Sequence, residues 1–141
     1  MDLSKINEIN RKVKSRFTYT PDKPAEGHSD DWQSHWRKLI EDESYEIRDD
    51  CDGLASTVAE GIMNAGGRAY RLLVGSANVR AIDHMVALVA CSNGHFYIVG
   101  DTQNDKPVKL SAYDKKIYYI HDPREGIVWK KWKLQKQNFG E

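Results

Sequence analysis

"RDDCDGLASTVAEGIMNAGGRAYRLLVG", residues 48–75, is where the chain changes character. Leu54, Val58, Ile62 and Ala65 recur at helical spacing, and Asp49 or Asp50 stands where an N-cap belongs. Gly66-Gly67 then supplies the backbone freedom of a helix stop. From Arg68 onward the pattern is different: "RAYRLLVG" is short, apolar and ends on a glycine, as a strand does. A single cysteine, Cys51, sits at the helix start between acidic neighbours.

The same division holds on either side of this stretch. Upstream, Leu3, Ile6, Ile9 (or Asn10) and Val13 predict an amphipathic helix over 2–15. "FTYTPDKPAEGHS" predicts a short extended piece and then a loop, because two prolines and a glycine interrupt it. Ser29, Asp30 and Asp31 offer caps for a second helix, "DWQSHWRKLIEDE", whose buried stripe would be Trp32, Trp36 and Leu39 (or Ile40). Downstream, "IDHMVALVA", "HFYIVGD", "PVKLSAY", "KIYYIHD" and "GIVWKKWKL" read as further strands. Helices first and strands later predict an α+β domain with an antiparallel sheet, and no repeat or charge block divides residues 1–141.

Composition narrows the function classes. The 21 basic and 21 acidic residues cancel, so no broad polyanion-binding surface, and hence no nucleic-acid partner, is expected. No apolar run approaches the roughly 18–20 residues that span a membrane. The N-terminus lacks the segments of a secretory signal. A complete chain would therefore be made as a cytosolic protein, whereas one trimmed of its leader would read the same way. Cys51 and Cys91 form no disulfide framework, and two reduced thiols are expected.

A hairpin argument suggests a site. Asn93-Gly94 signals a two-residue type I′ turn between the strands that flank "CSNGHF". With Ser92 opposite His95, Val86 falls opposite Asp101, and His84 becomes the diagonal neighbour of Asp101 on one face. A turn longer by one residue would shift that register. A carboxylate beside an imidazole fixes the ring's tautomer and leaves its other nitrogen for a thiol proton. Cys51, at a helix N-terminus where the dipole favours a thiolate, has the complementary chemistry. Asp49, Asp50 and Asp52 oppose ionisation, so the His84 imidazolium has to outweigh them.

The order Cys51, His84, Asp101 resembles the bacterial transglutaminase-like cysteine proteinases, a family that includes periplasmic proteases releasing biofilm adhesins. The resemblance runs through "INRKVKSRFTYTPD", "DDWQSHWRKLIEDE", "RDDCDGLA", "IDHMVALVA", "FYIVGDTQN" and "YYIHDPREGIVWKKW". It implies a papain-like fold in its transglutaminase variant, a single peptidase domain, and a protein or peptide substrate. It implies Cys51 as nucleophile, His84 as general base and Asp101 as the orienting carboxylate. The Cys51 N–H would serve an oxyanion hole, with Gln33 and Trp32 as weak candidates for a second donor. Some family members bind calcium through carboxylates around the cysteine, which makes Asp49, Asp50 and Asp52 candidate ligands. Gly53 departs from the family, which commonly has an acidic residue two positions after the cysteine. An acyltransferase, a peptidoglycan-peptide amidase or an inactive binding module would carry the same residues. Cys91, His95 and His121 read as structural or strand-end residues, and Trp129 and Trp132 as cover for the core.

Overall fold

The computed structural model describes residues 1–21, 34–76, 81–126 and 128–133. The first helix, α1 (Leu3–Lys14), is capped by the Asp2 carboxylate, which accepts from the Lys5 N–H at 2.8 Å. Basic residues fill its last turn, where they offset the negative helix end. It buries Ile6, Ile9, Asn10 and Val13, so the two readings of residues 9 and 10 both hold. Helix α2 (Trp36–Glu41) is shorter than expected and buries Trp36 and Leu39, while Ile40 faces solvent. Its expected caps, Ser29, Asp30 and Asp31, and Trp32 lie outside the described residues, as does Gln33.

Helix α3 (Cys51–Asn64) starts where the sequence suggests. Asp50 caps it by accepting from the Asp52 N–H at 3.0 Å. Gly66 at φ +92° ends the following turn, a conformation that suits glycine. Leu54, Val58 and Ile62 are completely buried, and each such side chain contributes about 1.5–3 kcal/mol. Gly61 costs helix propensity, but it lets α3 approach α2: a Cβ there would stand 2.7 Å from the Trp36 ring.

The described residues from Ala69 onward build a six-stranded sheet. Its strands are β3 (Ala69–Ser76), β4 (Ala81–Ala90), β5 (Phe96–Val99), β6 (Val108–Lys109), β7 (Lys116–His121) and β8 (Trp129–Lys131). The order is β6-β5-β4-β3-β7-β8, antiparallel throughout. Two short strands, β1 (Phe17–Tyr19) and β2 (Ile47–Asp49), pair in parallel as a separate ribbon leading into α3. The architecture is α+β, with helices on one face of an antiparallel sheet. That helix-side core joins Ile6, Val13, Leu39, Leu54 and Ile62 to Ala87, Val89 and Val99. The other face buries Leu72, Val74, Val86, Leu88 and Ile98 beneath Leu110, Tyr113 and Trp132. Trp132 therefore covers core as expected. No helix among the described residues is long and apolar enough to cross a membrane.

The hairpin between β4 and β5 departs from the sequence reading. The Cys91 N–H donates to His95 O at 3.0 Å, and the Gly94 N–H to Cys91 O at 3.1 Å, which encloses three residues rather than two. Gly94 alone takes positive φ, at +90°; Asn93 instead uses its side chain, accepting from the His95 N–H at 2.9 Å. A type I′ turn needs positive φ at both central positions, so it is excluded. Ala90 pairs with Phe96 and Ala87 with Val99. Val86 is thus not opposite Asp101; the ladder ends first.

Candidate active site

Cys51 is the first residue of α3 and is half-buried. The first intrahelical bond runs from the Leu54 N–H to Asp50 O, at 3.3 Å, so the helix does not consume the Cys51 N–H. The thiol donates to Asp52 Oδ1 at 3.6 Å, while the Met85 N–H donates to the sulfur. Burial pushes the thiol pKa up to about 12, and the charges of Asp52 and Asp50 push the same way; only the Met85 N–H opposes them. Burial and the two carboxylates thus oppose the thiolate that the helix terminus favours.

His84 and Asp101 meet although the predicted register fails. Continuing the observed ladder would set Met85, not the expected Val86, opposite Asp101, and so put His84 on the other face. Two local irregularities flank the pair, one beyond His84 on β4 and one beyond the end of β5. On β4, Val74 pairs with His84 but Gly75 pairs with Ile82, so Asp83 is an extra, bulged residue that turns the strand. Beyond β5, Gly100 at φ +61° breaks the alternation of faces. It also lies against α3, where a Cβ would stand 3.2 Å from Ala55 Cα and Val58 Cβ. His84 Nε2 then bonds Asp101 Oδ1 at 2.7 Å, both residues being buried. That bond leaves Nδ1 as the nitrogen not engaged by the carboxylate.

Asp101 is held from several sides. Its Oδ1 also accepts from the Gln103 N–H at 2.9 Å, and its Oδ2 from Asn104 Nδ2 at 2.8 Å. Burial works against its charge, but the bonds from His84, Asn104 and Gln103 prevail and hold its pKa below the ordinary carboxylate value.

The acidic residues around Cys51 are committed to protein partners. Asp50 caps α3, and Asp52 accepts the thiol proton's bond. Asp49 Oδ2 bonds His35 Nε2 at 2.8 Å, and its Oδ1 accepts from the Asp50 N–H at 2.8 Å. Burial again opposes the Asp49 charge, and these bonds again keep its pKa low. Among the described residues no group of three or more His, Cys, Asp or Glu is arranged to hold a metal ion. The glycine at 53 has a steric reason: a Cβ there would overlap the Asp49 carboxylate. His35, whose Nδ1 bonds the Tyr45 hydroxyl at 2.7 Å, makes a second His–Asp pair that sequence reasoning missed. No spacing signal links residues 35 and 49.

Cys51, His84, Met85 and Trp129 line one cleft of about 570 Å³. Arg71 reaches its floor from β3, an unexpected charge inside an apolar strand. It donates to Ser56 Oγ and to His121 Nδ1, both at 3.3 Å, and lies 5.0 Å from the Trp129 ring centroid. Burial brings its pKa down to about 10, against the pull of Asp52. His121 does end a strand as expected, but it is buried, and Trp129 walls the cleft rather than only covering core. Cys91 is buried in the helix-side core, away from this cleft. A larger cavity of about 680 Å³, near Phe96 and Trp132, brings no thiol or carboxylate to its imidazole, His95. The smaller cleft is the one with chemistry. No protein-family model matches the chain, and no curated protein or solved structure shows significant similarity to it.

Proposed function

We propose that the chain is a thiol hydrolase of peptide or isopeptide-type amides, with Cys51 as nucleophile, His84 as general base and Asp101 as orienting carboxylate. The observation that carries this is the opening of Cys51 and His84 on one cleft, with His84 already tied through Nε2 to a buried Asp101. The papain-like, transglutaminase-type fold belongs to the same reading, supported by a nucleophile helix packed on an antiparallel sheet. Two unbridged cysteines suit the reducing cytosol.

Burial and Asp52 favour the neutral thiol, so in this reading His84 acts by general-base catalysis, not through a preformed ion pair. As the Cys51 sulfur bonds to the amide carbon, the thiol proton passes to His84 Nδ1. The oxyanion that forms is met by the Cys51 N–H at the positive end of α3. His84 returns the proton to the amine as the C–N bond breaks, leaving a thioester. Water then releases the acid and restores the thiol; an amine in its place would give acyl transfer. A second reading, a binding module of this fold without turnover, is favoured by the burial of the thiol and its bond to Asp52, both of which oppose ionisation.

Incubation with a peptidyl nitrophenyl ester, followed by mass spectrometry, separates the two. The expected result is an acyl mass on Cys51 that decays on standing and is absent in His84→Ala. Acylation that is absent, or indifferent to His84, would refute the hydrolase.

A further inference from the structure

The catalytic reading uses Asp101 but leaves open what holds it, since β5 ends two residues earlier and the predicted ladder does not reach it. The answer lies in α1, on the far side of the sequence. Asn10 is 1% exposed, on a helix face otherwise made of Ile6, Ile9 and Val13. A buried amide among aliphatic neighbours is costly unless it is bonded. Its Oδ1 accepts from the Gly100 N–H at 2.9 Å, and its Nδ2 donates to Asp105 O at 3.4 Å. One turn further along, Lys14 Nζ donates to Asp101 O at 2.6 Å and to Asn104 O at 2.8 Å. Every one of these bonds falls on residues 100–105, the segment whose interior bonds wrap the Asp101 carboxylate.

We infer that Asn10 and Lys14 are positioning residues for the His84–Asp101 pair, acting through the backbone of the Gly100–Asp105 loop. The inference rests on the proposed triad. The geometry of Gly100 supports it: at positive φ and packed against α3, this residue is the pivot that swings Asp101 off the sheet. Asn10 fixes one side of the pivot by its N–H, and Lys14 fixes the other by the Asp101 carbonyl. Neither side chain lines the cleft, so neither touches substrate.

The test uses the low-field proton resonance of His84 Nε2–H, which reports the bond to Asp101 without any turnover. Asn10→Leu keeps the side chain's size and removes both bonds. The expected result is loss or rapid solvent exchange of that resonance, while the dispersed sheet amides persist. In the ester assay kcat falls by about tenfold or more with KM unchanged, as misplacing a catalytic group does. Asp101→Asn alone and combined with Asn10→Leu should have the same rate, because both act through one carboxylate. Should Asn10→Leu fail to fold, Lys14→Met loses the two carbonyl bonds and the 3.6 Å ion pair with Asp105, all to the same loop, and carries the same prediction. A resonance unmoved in a folded variant, or fully additive rate losses, would overturn the inference. Absence of Cys51 acylation in the native protein, with the resonance still responding to Asn10→Leu, would instead remove the hydrolase and leave the positioning intact.

Discussion

Replacing Asp52 by Asn tests the electrostatics of the nucleophile directly. The Asp52 carboxylate lies 3.6 Å from the Cys51 sulfur and accepts its proton. At that distance two unit charges repel by about 1 kcal/mol in water and by roughly 4–5 kcal/mol at an effective dielectric of about 20. Both side chains are half-exposed to the cleft, so the lower part of that range applies. About 1.4 kcal/mol is one pKa unit, and Asp52→Asn should therefore lower the thiol pKa by at least about one unit. Below the pKa, each unit raises the thiolate fraction tenfold. A less basic thiolate is also a weaker nucleophile, with a Brønsted slope of about 0.4–0.5, so the net gain is roughly three- to fourfold per unit. The assay is the rate of iodoacetamide labelling between pH 7 and 10, with Cys51 and Cys91 distinguished by peptide mass spectrometry. Unchanged or slower labelling in Asp52→Asn would refute the reasoning. So would a wild-type Cys51 that titrates well below an ordinary thiol.

Gly53→Ala places a methyl group in the Asp49 carboxylate, so Asp49 must move and its His35 bond breaks; thermal melting should report a loss of about 1–3 kcal/mol. Gly61→Ala should destabilise by a similar amount, although alanine favours helices by about 1 kcal/mol, because the Trp36 ring occupies the space. Asp49 and Asp101 have depressed carboxyl pKa values when folded, so their contribution is complete above the unfolded pKa of about 4. It is lost as pH falls through the lower folded values. Denaturant titrations from pH 6 to 2 should therefore show a shallower acid loss in Asp101→Asn than in wild type. Chelator and added calcium should leave the melting temperature unmoved, since Asp49, Asp50 and Asp52 already serve protein donors.

Much of this architecture is legible in the residues. Periodicity places α1 and α3, and the β-branched runs place the strands of the sheet, because packing on one face imposes a period that local reading can see. The pairing of His84 with Asp101 was legible only in outcome. The expected two-residue turn gives the right neighbours by a register that does not occur. The chain leaves the ladder at Gly100, between the last paired residue of β5 and Asp101, and a lone glycine at positive φ leaves no periodic signature. Arg71 was invisible for another reason: its partners, Ser56, His121 and Trp129, are gathered from three elements by tertiary packing alone. The acids beside Cys51 were legible as opposing its ionisation, but the burial that raises the thiol pKa most was not, since it comes from tertiary packing.

The tie between Asn10 and Gly100 spans ninety positions along the chain. Contacts of such separation are slow to form, because the intervening chain must be ordered before they gain anything. Helix α1 is built from local contacts, whereas the anchor of the Asp101 loop requires α1 and the end of β5 to be together. The order of assembly thus has a chemical meaning. Until that tie is made the Asp101 loop lacks its anchor, so a helix ninety positions away governs when the proposed His84–Asp101 pair is set.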